Sequence, residues 1–163
     1  MAKKNLIAEH IPKSVHPLFK DKLCYSVSKT GILLRILLEN SLKEHDLMPP
    51  QVGILYILSG VGHYNQVHLG QEMSIDKASM VKYLDGLEKL KFVERITDTQ
   101  DRRAKLVHIT ALGRKFAKKI AAKHAELEEK FLEGFTKTEV ETLRKLMPRL
   151  MASVINCLED RRL

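Results

Sequence analysis

Residues 67–90 read VHLGQEMSIDKASMVKYLDGLEKL and contain two short helical patterns that abut at residues 74–75. The second pattern follows Asp76, a residue type whose carboxylate accepts hydrogen bonds from the free backbone donors of a helix N-terminus. Apolar residues occupy one face of this second pattern, and lysines and an aspartate occupy the other. The apolar face consists of Met80, Leu84 and Leu87. We therefore expect two helices joined by a tight turn, the second of them amphipathic and half exposed.

Two segments rich in β-branched residues follow, at 92–96 and 105–110, on either side of a polar stretch at 97–104. This pattern predicts a β-hairpin with a long charged tip. A helix, a tight turn, a second helix and a hairpin form, in this order, a winged helix-turn-helix. In that fold the second helix fits the major groove of B-DNA and the hairpin beside it can reach the minor groove. We predict a mainly α fold with a small β-hairpin wing.

Helical patterns also precede this lobe. Apolar residues recur at spacings of three, four and seven between Pro17 and Pro49, which predicts a helix of several turns. A shorter helix is expected from Pro50, because proline suits the first turn of a helix. It should end in a glycine-spaced loop at 59–62.

Two further helices are expected after the hairpin. The first runs from Ala111, after a Thr110 cap, to about Glu133, and the second opens with Thr136 and Glu139, which form a capping box. Apolar residues of the last helix alternate at spacings of three and four, which is heptad spacing and predicts packing against another helix. This stripe consists of Val140, Leu143, Met147, Leu150, Val154 and Cys157. A proline at position 148 lies within the stripe and should kink the helix.

A chain of 163 residues has the length of one ordinary domain. It is too short to cover the heptad stripe alone, so we expect a homodimer. The predicted organisation is a single domain over 1–163, with N- and C-terminal dimerisation helices at 14–46 and 136–160, a winged helix-turn-helix lobe at about 50–112 and a connecting helix at 111–133.

Charge is concentrated on the predicted lobe. The chain carries 28 lysines and arginines against 20 aspartates and glutamates, a net charge of +8. Residues 75–119 hold 12 basic and 6 acidic side chains, so this segment accounts for +6 of the total. Such an excess favours a polyanion, of which nucleic acid is the commonest. The alternative is a solvated charged face that binds nothing.

Several other classes find no support in the sequence. We expect no membrane contact and a cytoplasmic location, because the sequence shows neither a long apolar run nor a secretory signal. It contains no nucleotide-binding glycine loop and no nucleophile motif, so we do not expect an enzyme or a cofactor. The seven histidines lack metal-ligand spacing, so no metal site is expected, and His108 should lie on the second hairpin strand near the phosphates.

Residues 75–88, 90–95 and 101–113 resemble segments of the MarR (multiple antibiotic resistance regulator) family. They give, in order, a recognition helix, an Asp-x-Arg wing and a Thr-x-x-Gly entry into the next helix, and the resemblance extends over nearly the whole chain. It implies a dimeric bacterial or archaeal transcription regulator, usually a repressor. Such a regulator binds a pseudo-palindromic operator in double-stranded DNA and is released by a small ligand or an oxidant.

The resemblance places Lys77, Ser79, Val81 and Lys82 on the groove-facing side of the recognition helix. Lys82 can contact a guanine edge or a phosphate, and Ser79 can hydrogen-bond to either. Lys77, near the helix start, suits a phosphate, and Val81 can pack on a thymine methyl group.

In the wing, Arg103 corresponds to the family residue that enters the minor groove, and Asp101 braces it through a salt bridge. Arginine suits a narrow minor groove because the potential there is strongly negative. Arg102 is expected at the DNA backbone. The alternative for Asp101 and Arg103 is a surface ion pair with little effect on stability.

The tripeptide at 23–25 resembles the Leu-Cys-Phe of family members that sense organic hydroperoxides. A sensing Cys24 needs thiolate character and access to the oxidant. Those members hold the sulfur between two tyrosines, whereas this sequence has Leu38 and Pro49 in the matching regions. We therefore expect Cys24 and Cys157 to be buried small hydrophobic residues, with redox sensing by Cys24 as the alternative.

A second alternative keeps the fold but changes the partner. A winged helix can serve as an adaptor that binds protein, in which case its basic surface is incidental. The salt dependence of binding separates the two, because binding to several phosphates weakens steeply with salt and an apolar interface hardly responds.

Overall fold

The computed structural model describes residues 14–97 and 105–160. The helices and strands are α1 Leu23–Leu42, α2 Pro49–Val61, β1 His63–Asn65, α3 Gln66–Glu72, α4 Lys77–Lys89, β2 Val93–Thr97, β3 Lys105–Ile109, α5 Ala111–Phe131 and α6 Lys137–Glu159. Short 3-10 helices, Pro17–Phe19 and Lys43–His45, flank α1. Within this described part, no helix is long and apolar enough to cross a membrane. The chain divides into two compact units, Met1–Lys123 and His124–Leu163.

The first unit has its hydrophobic core where α2, α3 and α4 pack on the small sheet. Leu55, Leu58, Leu69, Leu84 and Leu87 are fully buried there. Each such side chain contributes on the order of 1.5–3 kcal/mol when it leaves water. This packing holds the inner face of α4 and leaves the outer face of the helix to solvent. The mainly α, winged helix fold is confirmed.

The sheet has three antiparallel strands in the order β1-β3-β2. Val93 of β2 pairs with Ile109 of β3, and Tyr64 of β1 pairs with Val107 of β3. Val93, Val107 and Ile109 are buried in the core, as expected of alternate positions on one face of a strand. The hairpin of β2 and β3 was predicted, whereas the pairing of β1 with β3 was not.

Two helix starts follow the sequence prediction. Pro49 and Pro50 lie in the first turn of α2, where a missing backbone N–H costs nothing. The backbone N–H of Gly113 donates to Thr110 Oγ1 at 3.0 Å, so Thr110 caps α5. A side chain at Gly113 has no room, because its Cβ would lie 2.1 Å from the carbonyl oxygen of Phe92.

The second unit contains α6, and its capping box is confirmed. Thr136 N–H donates to Glu139 Oε2 at 2.7 Å, and Glu139 N–H donates to Thr136 Oγ1 at 3.3 Å. The helix continues through Pro148 to Glu159. None of its residues is buried within the chain, and Met147, in the middle of the heptad stripe, is 49% exposed.

Some element bounds differ from the prediction. Within the segment 14–46 the α-helix runs only over Leu23–Leu42, and the chain turns at Asp46, which has a left-handed φ of 51°. The loop predicted at 59–62 is wrong for its first three residues, because α2 continues to Val61. Gly62, with φ of 87°, then ends the helix and leads into β1.

The expectation that both cysteines are buried is wrong. Cys24 and Cys157 are free and exposed. Cys24 lies in the first turn of α1, where its neighbour Leu23 is also 67% exposed. Cys157 lies in the last turn of α6, a helix that buries no residue within the chain.

Candidate nucleic-acid interface

The helix α4 is the predicted recognition helix, and its start is fixed by the predicted cap. Ser79 N–H donates to Asp76 Oδ1 at 2.9 Å. Hydrogen bonds from the side chain and backbone of Ser79 hold the pKa of Asp76 below its ordinary value. The carboxylate therefore stays ionised at the positive end of the helix dipole.

The predicted groove-facing residues differ in exposure. Lys77 and Lys82 are exposed, so their ammonium groups are free to reach phosphates or base edges. Ser79 and Val81 are half-buried. The opposite face of α4 carries the buried Met80, Leu84 and Leu87, as the sequence predicted.

The turn before α4 is tight, as the helix-turn-helix prediction requires. Ile75 N–H donates to the Gly70 carbonyl oxygen at 2.8 Å. Ser74 has a left-handed φ of 52°, a conformation that few residues other than glycine adopt. At the other end of α3, Asn65 Oδ1 accepts from Val67 N–H at 2.9 Å and from the following N–H at 3.2 Å. Both ends of α3 are thus fixed by local hydrogen bonds.

One buried polar side chain joins α2 to α4. Gln51 is only 6% exposed, and its amide makes hydrogen bonds at both ends. Oε1 accepts from Met48 N–H at 2.9 Å, and Nε2 donates to the Tyr83 carbonyl oxygen at 3.1 Å. Gly86 leaves room for this amide, since a Cβ there would lie 2.7 Å from Gln51 Nε2. The amide therefore fixes where α4 lies against α2.

The wing strand β2 is tied to the last turns of α4 by Arg95. Its backbone N–H donates to Glu88 Oε1 at 2.9 Å, and its Nε donates to Glu88 Oε2 at 3.0 Å. Arg95 also forms an ion pair with Asp85, one turn earlier on α4. Hydrogen bonds from the Arg95 side chain lower the pKa of Glu88, and the same bonds raise that of Arg95. We name Arg95, Glu88 and Asp85 the wing clamp.

The wing clamp was not predicted from the sequence, where its three residues entered only the count of charged side chains. The available signal was Asp85 and Glu88 at a spacing of three on one helix, with a basic residue on the strand that follows. Among the described residues, β2 and β3 extend to Thr97 and Lys105, where Lys105 Nζ donates to Thr97 Oγ1 at 2.8 Å. The predicted wing residues Asp101, Arg102 and Arg103 lie outside the described residues.

A second basic surface lies on α5. The helix buries Gly113, Ala117 and Ile120, and its opposite face exposes four cations. These are Arg114, Lys115, Lys118 and Lys119. Seven of the twelve basic residues counted over 75–119 therefore lie exposed on α4 and α5.

The sequence placed His108 on the second hairpin strand and predicted no metal site. His108 lies on β3 as predicted, where its ring stacks on that of His63 with 5.0 Å between centroids. The described residues contain no cluster of three or more histidine, cysteine, aspartate or glutamate side chains that could hold a metal ion.

The fold and the exposed basic helix beside a hairpin define a winged helix-turn-helix DNA-binding protein. The MarR family model matches residues 47–105, which contain the helix-turn-helix and the first wing strand. A curated relative, the uncharacterized HTH-type transcriptional regulator YsmB of Bacillus subtilis (strain 168), is 26% identical over 109 residues. That alignment covers 67% of this chain and 75% of the relative.

Solved structures agree with this class. A crystal structure of MarR superposes with a TM-score of 0.76 at 22% identity and covers 93% of this chain and 99% of that chain. A probable transcriptional regulator from Pseudomonas aeruginosa superposes with a TM-score of 0.71 at 27% identity. This superposition covers 80% of this chain and 97% of that chain. Residues 47–105 thus match the MarR family of transcriptional regulators, and the chain has the winged helix fold of solved MarR proteins.

Proposed function

We propose that this regulator binds a pseudo-palindromic operator in double-stranded DNA as a homodimer and represses transcription until a small ligand releases it. The observation that carries the DNA contact is the exposure of Lys77 and Lys82 on α4, beside the strands β2 and β3. In the sequence, the segment between these strands contains Arg102 and Arg103. In a homodimer, the two copies of α4 and its hairpin would lie about one helical turn of DNA apart and double the number of DNA contacts. The proposed place of action is the cytoplasm.

Within the proposal, α4 contacts the major groove. Lys82 supplies a donor for a guanine edge or a phosphate, and Lys77 supplies one for a phosphate. Ser79 and Val81, which are half-buried, reach only groups close to the helix surface. Arg103 enters the minor groove with Asp101 as its brace, and Arg102 contacts the backbone.

The proposed homodimer is supported by the exposure of α6. Leu143, Met147 and Val154 of the heptad stripe are between 38% and 50% exposed in the single chain. A continuous apolar stripe of this kind on a helix marks a surface that another helix covers. A second copy of the chain offers the same stripe, and symmetric pairing lets each stripe cover the other.

Release by a ligand is proposed from the family resemblance. A cleft of about 390 Å³ lies between α3 and the first turn of α4, and its lining includes Val67, Met80 and Lys77. The lining is mostly apolar and carries two opposite charges, the Lys77 ammonium and the Asp76 carboxylate, so a ligand with an apolar body and a polar group fits it. Occupancy would alter Lys77 directly and so weaken DNA binding.

The deciding experiment is a fluorescence titration with the DNA that flanks the gene of this protein, at two salt concentrations. Wild type is expected to bind tightly, selectively and with strong salt dependence. Arg103→Ala should cost about 1–3 kcal/mol of binding free energy. Lys130→Ala on α5, outside the first unit, removes the same charge and is the matched control.

Two outcomes would overturn the proposal. If wild type prefers that DNA no more than a random duplex, and genome-wide selection of binding sites also yields no preferred site, the protein is an adaptor. If Arg103→Ala and Lys130→Ala weaken binding equally, Arg103 makes no specific wing contact and only its charge matters.

A redox-responsive regulator is the second candidate, because Cys24 is exposed and so meets the requirement for access. The test is release of the operator by an organic hydroperoxide from wild type and from Cys24→Ser. Release from wild type alone supports a sensor. Equal responses of the two proteins remove this candidate.

A further inference from the structure

The wing clamp joins the two elements that are proposed to read the two grooves. Glu88 belongs to the last two turns of α4, and Arg95 is the middle residue of β2. Two residues after Arg95 the described part of β2 ends, and the segment with Arg103 follows. The position of the wing beside α4 is therefore set close to its root by these contacts.

The wing clamp is a specific contact rather than a loose surface pairing. Glu88 uses both carboxylate oxygens, one on the backbone N–H and one on the Nε of the same residue. The Arg95 side chain is 22% exposed and that of Glu88 is 31% exposed. Backbone and side chain are held together, so β2 can neither slide along α4 nor rotate without breaking one of these bonds.

These contacts also remove Arg95 from the set of DNA-binding cations. Its guanidinium is shared between two carboxylates, which leaves the wing clamp with a net charge of −1. Arg95 thus lies on a wing strand without serving as a phosphate contact.

We propose that Glu88 is a positioning residue for DNA binding, which acts through Arg95 to hold the wing at a fixed distance from α4. With the wing held, the α4 and Arg103 contacts form at the same time on one duplex. Without the contact of Glu88 with Arg95, part of the free energy of DNA binding is used to fix the position of the wing. This inference rests on the proposed contact of Arg103 with DNA.

The first test asks whether removal of a negative charge makes DNA binding tighter or weaker. Glu88→Ala, Glu88→Gln and the control Glu94→Gln each remove one negative charge, and Glu94 is an exposed residue next to Arg95 on β2. Electrostatics alone predicts tighter DNA binding in all three variants. We expect Glu94→Gln to bind as tightly as wild type or more so, and Glu88→Ala to bind about tenfold more weakly.

Glu88→Gln separates the two parts of the contact. Its amide oxygen can still accept from the Arg95 backbone, but it cannot form the ion pair. We expect an intermediate loss, with a thermal unfolding curve close to that of wild type. If Glu88→Gln and Glu88→Ala bind DNA as tightly as Glu94→Gln, the positioning role is wrong. Should Glu88→Ala fail to fold, Glu88→Gln alone decides.

The second test is a double-mutant cycle with Arg103→Ala. If Glu88 positions the wing, the loss caused by Arg103→Ala must shrink in the Glu88→Gln background by at least about threefold. An equal loss in both backgrounds means that Glu88 stabilises the fold only and overturns the inference. If Arg103→Ala does not weaken DNA binding by the otherwise wild-type protein, the proposed contact of Arg103 with DNA is wrong. The comparison of the Glu88 variants with Glu94→Gln still tests the role of the wing clamp.

Discussion

Gln51 Nε2 donates to the Tyr83 carbonyl oxygen across the boundary between α2 and α4. Gln51 is a buried polar residue, and its other amide atom satisfies the Met48 N–H at the start of α2. A single side chain therefore links the start of one helix to the recognition helix. Because both ends of the amide are used, it is held in one orientation.

Gln51→Ala is expected to destabilise the protein by about 2–3 kcal/mol, because it leaves a cavity and removes the acceptor for Met48 N–H. Urea unfolding at fixed protein concentration measures the loss. Gln71→Ala, at an exposed position on α3, is the matched control and should stay within about 0.5 kcal/mol of wild type. Equal effects of the two substitutions would contradict the structural role of the Gln51 amide.

A methyl group added at Gly113 and one added at Gly60 are expected to change the stability of the protein in opposite directions. Gly113→Ala should destabilise by about 1–3 kcal/mol or more, because its Cβ meets the Phe92 carbonyl oxygen. Gly60→Ala should stabilise by about 0.5–1 kcal/mol, since Gly60 is exposed in α2 and nothing lies within 4 Å of its Cβ. Thermal unfolding of the two variants and wild type tests the order. A stable Gly113→Ala would show that the start of α5 can move away from β2.

Asp76 predicts a pH effect on stability. Hydrogen bonds from Ser79 hold its pKa below the ordinary value of 3.8. Since the folded state depresses the pKa, the stabilisation is present above the unfolded pKa and is lost as pH falls through the folded one. Asp76→Asn keeps an acceptor for Ser79 N–H and does not titrate. As pH falls from about 5 to about 2, wild type should lose more unfolding free energy than Asp76→Asn. Parallel profiles would refute this role.

The exposed stripe of α6 predicts the effect of a charge at its centre. Met147→Lys should convert the proposed homodimer to monomer and weaken operator binding, because a buried ammonium without a partner is costly. Analytical ultracentrifugation measures the oligomeric state. Lys145→Met, on the same helix but outside the stripe, is the control and should remain dimeric. A Met147→Lys protein that stays dimeric places the interface elsewhere.

Cys157 provides a chemical check on the same surface. It belongs to the heptad stripe and is exposed in the single chain. In a dimer formed through this stripe, iodoacetamide should label Cys157 slowly, and labelling should become fast in Met147→Lys. The labelling rate of Cys157 in the protein unfolded by urea is the reference. Fast labelling of Cys157 in wild type would show that the partner does not cover the end of α6.

Local patterns in the sequence predicted the parts of the fold that depend on neighbouring residues. The Asp76 cap, the Thr136 and Glu139 capping box and the amphipathic α4 arise from contacts within a few positions, so spacing reveals them. Features that join distant segments were missed. The three-residue strand β1 is too short to show alternation, and it exists because β3 offers it a partner.

In the candidate site too, features set by neighbouring residues were predicted and contacts between distant segments were not. Exposure of Lys77 and Lys82 follows from the helical period, whereas the contact of Arg95 with Glu88 depends on how the hairpin returns to α4. The burial of the cysteines was predicted from residue type alone. That was wrong, because no element among residues 14–97 and 105–160 covers the helix ends that carry them.

The strand β2 lies at an edge of the sheet, where a backbone N–H would ordinarily face water or another protein. Edge strands of this kind are templates for strand addition and aggregation. At Arg95 the N–H is already occupied by the Glu88 carboxylate. The wing sheet thus has a blocked edge, so a concentrated solution of this protein gains protection against edge-to-edge polymerisation from one glutamate of a neighbouring helix.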